Sequence, residues 1–206
     1  MKILGSEKGV ALVTSLLLTL LSLAITMALL SFIIAGTKIS ASQKRYSNSL
    51  SAAYGGVEVT TKDLLPKIFT GYTSSVLSSS FSNINLSVQS SNACLRQKLN
   101  LPTNQWTTAV CGASMTTQDA AIAPDFRFTL SGATAATNFN LFAKIIDTVP
   151  GNSDPSGVEL DPGMAVAGSA PGISPMHLPA MLTLEIEGTQ GDKPQEKADL
   201  SVLYAY

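Results

Sequence analysis

Charge is scarce in this chain. Asp, Glu, Lys and Arg make up only 13% of its 206 residues, about half the usual share, and the formal net charge is −1. Without a basic excess there is no electrostatic footprint for nucleic acid, and no nucleic-acid partner is expected. Histidine occurs once, as His177, flanked by Met176 and Leu178 between Pro175 and Pro179, a setting for a turn or packing role rather than general-base work. Cys94 and Cys111 are the only cysteines, and two cysteines with no histidine nearby cannot make a four-ligand zinc site. Serine is abundant, yet none stands in a nucleophile-elbow pattern. Asp154, Glu159 and Asp161 carry oxygens of the kind calcium takes, but EF-hand spacing is absent and Asp-Pro occurs twice there, which is a turn signal. The chain is therefore expected to be no enzyme and to hold no cofactor or metal. The Gly- and Pro-rich loop from 150 to 179 is expected to be a contact surface.

What is present is a long run without charge, from Val10 to Thr37. About 20 helical residues cross the hydrocarbon core of a bilayer, so Val10 to Ile34 is long enough to span. A secretory signal would have an apolar region of roughly 7 to 15 residues before a small-residue cleavage site. This run is much longer, although Ser40-Ala41-Ser42 could mimic such a site. Lys2 and Lys8 precede the run while Lys38, Lys44 and Arg45 follow it, so basic residues do not decide its orientation.

Ala11, Ser15, Thr19, Ser22 and Thr26 recur every three or four positions, which at about 100° per residue puts them on one helical face. Small residues on one face let helix backbones approach closely, which is how helices associate inside a membrane. The alternative is that these hydroxyls are merely tolerated, each bonding back to a carbonyl of the preceding turn.

Residues 37 to 65 read as an amphipathic continuation, with Ile39, Tyr46, Leu50, Ala53, Val57 and Leu64 at helical spacing. A helix from Val10 to Leu65 would be ~84 Å long. Gly55 and Gly56 each cost about 1 kcal/mol in a helix interior and mark the expected bend or break. Beyond it, 66 to 206 suffices for one small domain. Thr70 to Ala123 is Ser-, Thr- and Asn-rich and reads as an irregular connection with short helical pieces. A Cys94–Cys111 disulfide within it would add about 3 kcal/mol, the alternative being two buried free thiols.

Strand alternation gathers near the end, at 126–131, 139–146, 182–187 and 199–204. The polar stretch from Gly188 to Lys197, with Gly191 and Pro194, makes the last two runs a hairpin. The expected class is α+β: a long N-terminal helix whose amphipathic half packs on an antiparallel sheet of about four strands.

The junction Glu7-Lys8-Gly9 followed by Val10-Ala11-Leu12-Val13 resembles that of type IV pilins and of the pseudopilins of type II secretion. The resemblance covers roughly residues 5 to 62. It implies a leader of residues 1–9 removed behind Gly9 by a prepilin peptidase, N-methylation at Val10, a membrane half at 10–36 and a pilin-like fold. Val10 stands where the family usually has Phe, and Thr14 where most members carry Glu. That Glu is held to neutralise a neighbour's N-terminal ammonium in the apolar filament core, which Thr14 cannot do. Its lack resembles PilX-type minor pilins and the K-type tip pseudopilin. Ala52-Ala53-Tyr54-Gly55-Gly56-Val57-Glu58 is similar to a PilX-type segment at Ala52, Ala53, Gly56 and Glu58. The resemblance implies a minor pilin at or near a pilus tip or in its priming complex. Other pilins, a tip adhesin and the inner membrane would be its partners, with the globular domain in the periplasm and later at the cell surface. A type II secretion pseudopilin and an uncleaved single-pass periplasmic binding protein are the alternatives.

Overall fold

The run that begins at Val10 meets no proline before Pro66, and the backbone is helical from Glu7 to Glu58 (α1). The computed structural model describes residues 7–112, 117–132, 134, 137–151, 179–191 and 193–206. Residues 1–6 of the expected leader, the acidic stretch of Asp154, Glu159 and Asp161, and His177 lie outside these. The chain divides into two compact units, Met1–Arg45 and Tyr46–Tyr206.

In the second unit the helix does not break at Gly55 and Gly56, contrary to the sequence expectation. The glycines are where the sheet comes closest. A Cβ at Gly56 would lie 3.2 Å from Ile186 Cγ2 and from Leu141 Cδ2, and one at Gly55 would lie 3.1 Å from Leu130 Cδ1. The irregularity comes later, as a π turn over Val59–Leu64, in which Leu65 N–H donates to Thr60 O, five residues back. Pro66 follows immediately, and a widened turn accommodates a ring that would otherwise collide with the carbonyl four residues earlier. Helix resumes at Leu65–Phe69 (α2). The extra residue turns both Leu64 and Leu65 inward, Leu64 into one apolar cluster and Leu65 into a second.

The buried stripe also differs from the expected one. Tyr46 is exposed, as is Ile39 in the first unit, while Ser49, Ala52, Ala53, Gly56 and Thr60 are covered. Small residues win because the sheet presses on the backbone itself. A Cβ at Gly188 would stand 3.0 Å from Ser49 O and 3.1 Å from Ala53 N. Ser49 Oγ donates to Glu196 O at 3.0 Å.

Between helix and sheet lie Ser74–Ser80 (α3), the two-residue strand Ser87–Val88 (β1), Asn92–Asn100 (α4) and Thr108–Cys111 (α5). The longer strands are Phe126–Leu130 (β2), Phe139–Val149 (β3), Met181–Gln190 (β4) and Lys193–Ala205 (β5). They form one antiparallel sheet of five strands in the order β1-β2-β3-β4-β5. The β4–β5 hairpin is present, but strand extends through most of the expected Gly188–Lys197 connection, running to Gln190 and resuming at Lys193. β1 is the addition to the expected four, too short to show any periodicity.

Phe126, Phe128, Leu141, Ile145, Leu182, Leu184 and Ile186 fill the two clusters from the sheet side. Each contributes about 1.5–3 kcal/mol by leaving water. Leu77, Leu86 and Leu95 close the first cluster, and Leu99 and Trp106 the second. The described residues of 70–123 thus include the short helical pieces expected there, and these pack onto the core.

Candidate functional site

Gly9 and Val10 both lie in the first turns of α1 and are exposed. A Cβ at Gly9 would meet nothing within 4 Å. From Val10 onward the apolar side chains are uncovered throughout, Phe32 at 76% and Leu18 at 70%. The helix is long and apolar enough to cross a membrane, and none of its most apolar stretch is buried.

Ala11, Ser15, Thr19, Ser22 and Thr26 are all exposed on this helix. Ser15 Oγ donates to Leu12 O at 2.9 Å, Thr19 Oγ1 to Leu16 O at 2.8 Å and Thr26 Oγ1 to Leu23 O at 2.8 Å. Thr14 Oγ1 likewise donates to Ala11 O at 3.0 Å. These bonds account for hydroxyls inside an apolar run, since a satisfied hydroxyl needs no partner from outside. Thr14 adds no charge to the run.

Downstream, α4 is tied into the domain twice. Its N-cap is Ser91, whose Oγ accepts from Cys94 N at 3.1 Å. Cys94 and Cys111 form a disulfide with Cα atoms 4.9 Å apart, joining α4 to α5. One turn on, Lys98 is fully buried beside the equally buried Asp125, which precedes β2. Lys98 Nζ lies 2.7 Å from Asp125 Oδ1 and 2.6 Å from Oδ2, and donates to Ile145 O at 3.1 Å. Asp125 Oδ2 accepts from Ile145 N at 2.8 Å, and Oδ1 accepts from Ser90 Oγ. The Trp106 ring lies 5.4 Å from the ammonium. Burial pushes the Lys98 amine below its usual range, against the pull of Asp125.

Lys98 shares a buried helical face with Cys94, Leu95 and Leu99. A lysine within an apolar stripe is the signal that would have found it. Lys144 on β3 is also buried, and its Nζ donates to Ala123 O at 2.7 Å. The segment before β2 covers that side of the sheet.

An open groove of about 340 Å³ runs between the end of α2 and α4, lined by Ile68, Phe69, Tyr72, Leu95, Arg96 and Leu99 among others. No histidine, cysteine or carboxylate lines it. Among the described residues no group of three metal-binding side chains converges. Comparison of the chain with protein-family models, with curated proteins and with solved structures finds no match.

Proposed function

We propose that this chain is a minor pilin of the PilX type, freed of its leader behind Gly9 and incorporated at or near the tip of a type IV pilus or in its priming complex. The supporting observation is an apolar helix, Val10 to Ile34, exposed over its whole length. Such a rod is stable in a bilayer, and its small face suits sibling helices. The function is then polymerisation rather than chemistry on a substrate. Before assembly the rod sits in the inner membrane with the domain in the periplasm, where a disulfide forms readily. Afterwards the subunit is on the cell surface among other pilins, with a tip adhesin as a further partner. Thr14 fits a subunit with no neighbour above it, because there is then no ammonium to neutralise.

Gly9 makes the processing test clean. A Cβ there meets nothing within 4 Å, so a side chain is expected to be accommodated on the helix. Co-expression with a prepilin peptidase is expected to give a chain beginning at Val10, and Gly9→Leu is expected to keep the precursor full length. An intact Met1 in both would sink the pilin reading and favour an uncleaved single-pass protein.

A further inference from the structure

The buried amine and carboxyl at the foot of α4 have no part in the function proposed above, and their arrangement is that of two reactants. We propose that Lys98 Nζ and Asp125 Cγ join as an intramolecular amide, with loss of one water, in the folded protein. The proposal stands on the domain alone and does not depend on the filament reading.

The geometry carries it in three ways. Nζ is held at nearly equal distances, 2.7 and 2.6 Å, from the two carboxyl oxygens, which keeps it beside the carbon between them. Both side chains are fully buried, among Trp106, Ile145 and the neighbouring apolar clusters, so bulk water does not compete with the amine. The pair is net neutral wherever the shared proton sits, so the free amine is reached by a single proton transfer along the hydrogen bond between them.

The polar groups around the pair suit the amide as well as the ions. Ile145 N–H already donates to Oδ2 at 2.8 Å, and Ile145 O already accepts from Nζ at 3.1 Å. After condensation the same backbone donor would serve the amide carbonyl, and the same backbone acceptor the amide N–H. Ser90 Oγ–H, whose acceptor Oδ1 departs as water, is the group there that must turn to a new partner. Ser90 Oγ–H, donating to Oδ1, is placed to polarise the carboxyl and to help its departing oxygen take up a proton.

The step balances without any co-reactant. A proton passes from the ammonium to the carboxylate, giving amine and carboxylic acid. The Nζ lone pair forms the new bond to Cγ, and Ile145 N–H stabilises the developing oxyanion, as backbone donors do in acyl transfer. A second nitrogen proton leaves with the hydroxyl as water, breaking the Cγ–Oδ1 bond. Nothing is oxidised or reduced.

Intact-mass spectrometry of the purified full chain tests this directly, its N-terminus being fixed independently by sequencing. The expected mass is one water below that of the sequence with its disulfide, and digestion should yield a branched peptide joining α4 to the start of β2. Lys98→Met should restore the full mass. Asp125→Asn should lose ammonia instead and converge on the wild-type product, while Ser90→Ala should leave a fraction of chains unjoined. A wild-type chain at full mass, with Lys98 and Asp125 recovered only in separate peptides, would overturn the proposal whatever the variants do.

Discussion

The two stretches of the N-terminal helix use small residues on one face, and the comparison shows what such a face is for. In the domain, Ser49, Ala52, Ala53 and Gly56 are buried because β4 passes so near that a side chain at Gly188 would press on helix backbone. In the first unit, Ala11, Ser15, Thr19, Ser22 and Thr26 form a similar face with nothing upon it. Where the covering element is in the same chain, smallness means close approach. The proposed filament supplies the covering element for the other face from sibling subunits.

Substitutions that probe the covered stretch should act on stability, and those on the bare stretch on assembly. The largest effect is expected from Asp125→Ala, which leaves the Lys98 amine buried without its carboxyl, whether the two are paired as ions or joined as the amide, and should cost at least about 3–5 kcal/mol in denaturant unfolding of the full chain in detergent. Replacing Cys94 and Cys111 together by serine should cost about 3 kcal/mol, read in the same way with and without reductant. Gly188→Ala should cost about 1–3 kcal/mol because its contacts are backbone atoms that cannot swing aside. Gly55→Ala should be nearly neutral, since only the end of Leu130 must move and alanine gains about 1 kcal/mol in helix propensity. Equal losses at Gly188 and Gly55 would break the account of the close seam.

Ser15→Leu with Ser22→Leu should leave the unfolding midpoint unchanged and remove the subunit from sheared filaments. Thr14→Glu should impair incorporation if no ammonium awaits it, and normal piliation by that variant would weaken the tip assignment. The smallest effect concerns pH. Burial raises the Glu187 carboxyl, with Asp199 adding to the shift and Lys197 opposing it, and burial likewise raises Glu185. The folded chain then holds protons that the unfolded chain has released. Stability should therefore fall as pH rises from the ordinary carboxylate range through the raised values, and rise again on acidification. Glu187→Gln should flatten that slope in thermal melts.

Much of this architecture was legible in the residues. Alternation at Phe126–Leu130 and Leu182–Ile186 placed strands because each has one covered face, and the turn chemistry near Gly191 placed the hairpin. The uncharged run from Val10 announced its own exposure. The helix seam was misread because large side chains such as Ile39 and Tyr46 look like core, whereas a backbone-to-backbone approach selects Ala52, Ala53 and Gly56. Gly55 and Gly56 were read as a weak point for the same reason. The Lys98–Asp125 pair was invisible because its partners come from segments distant in sequence, and β1 because two residues carry no period.

The central claim is that the Val10 helix is released by proteolysis in order to be bundled with sibling helices. N-terminal sequencing of the chain recovered from sheared, washed filaments tests it most directly. The account predicts that the chain is present there and begins at Val10. Recovery only from membranes, with Met1 intact and filaments assembling normally in its absence, would contradict it.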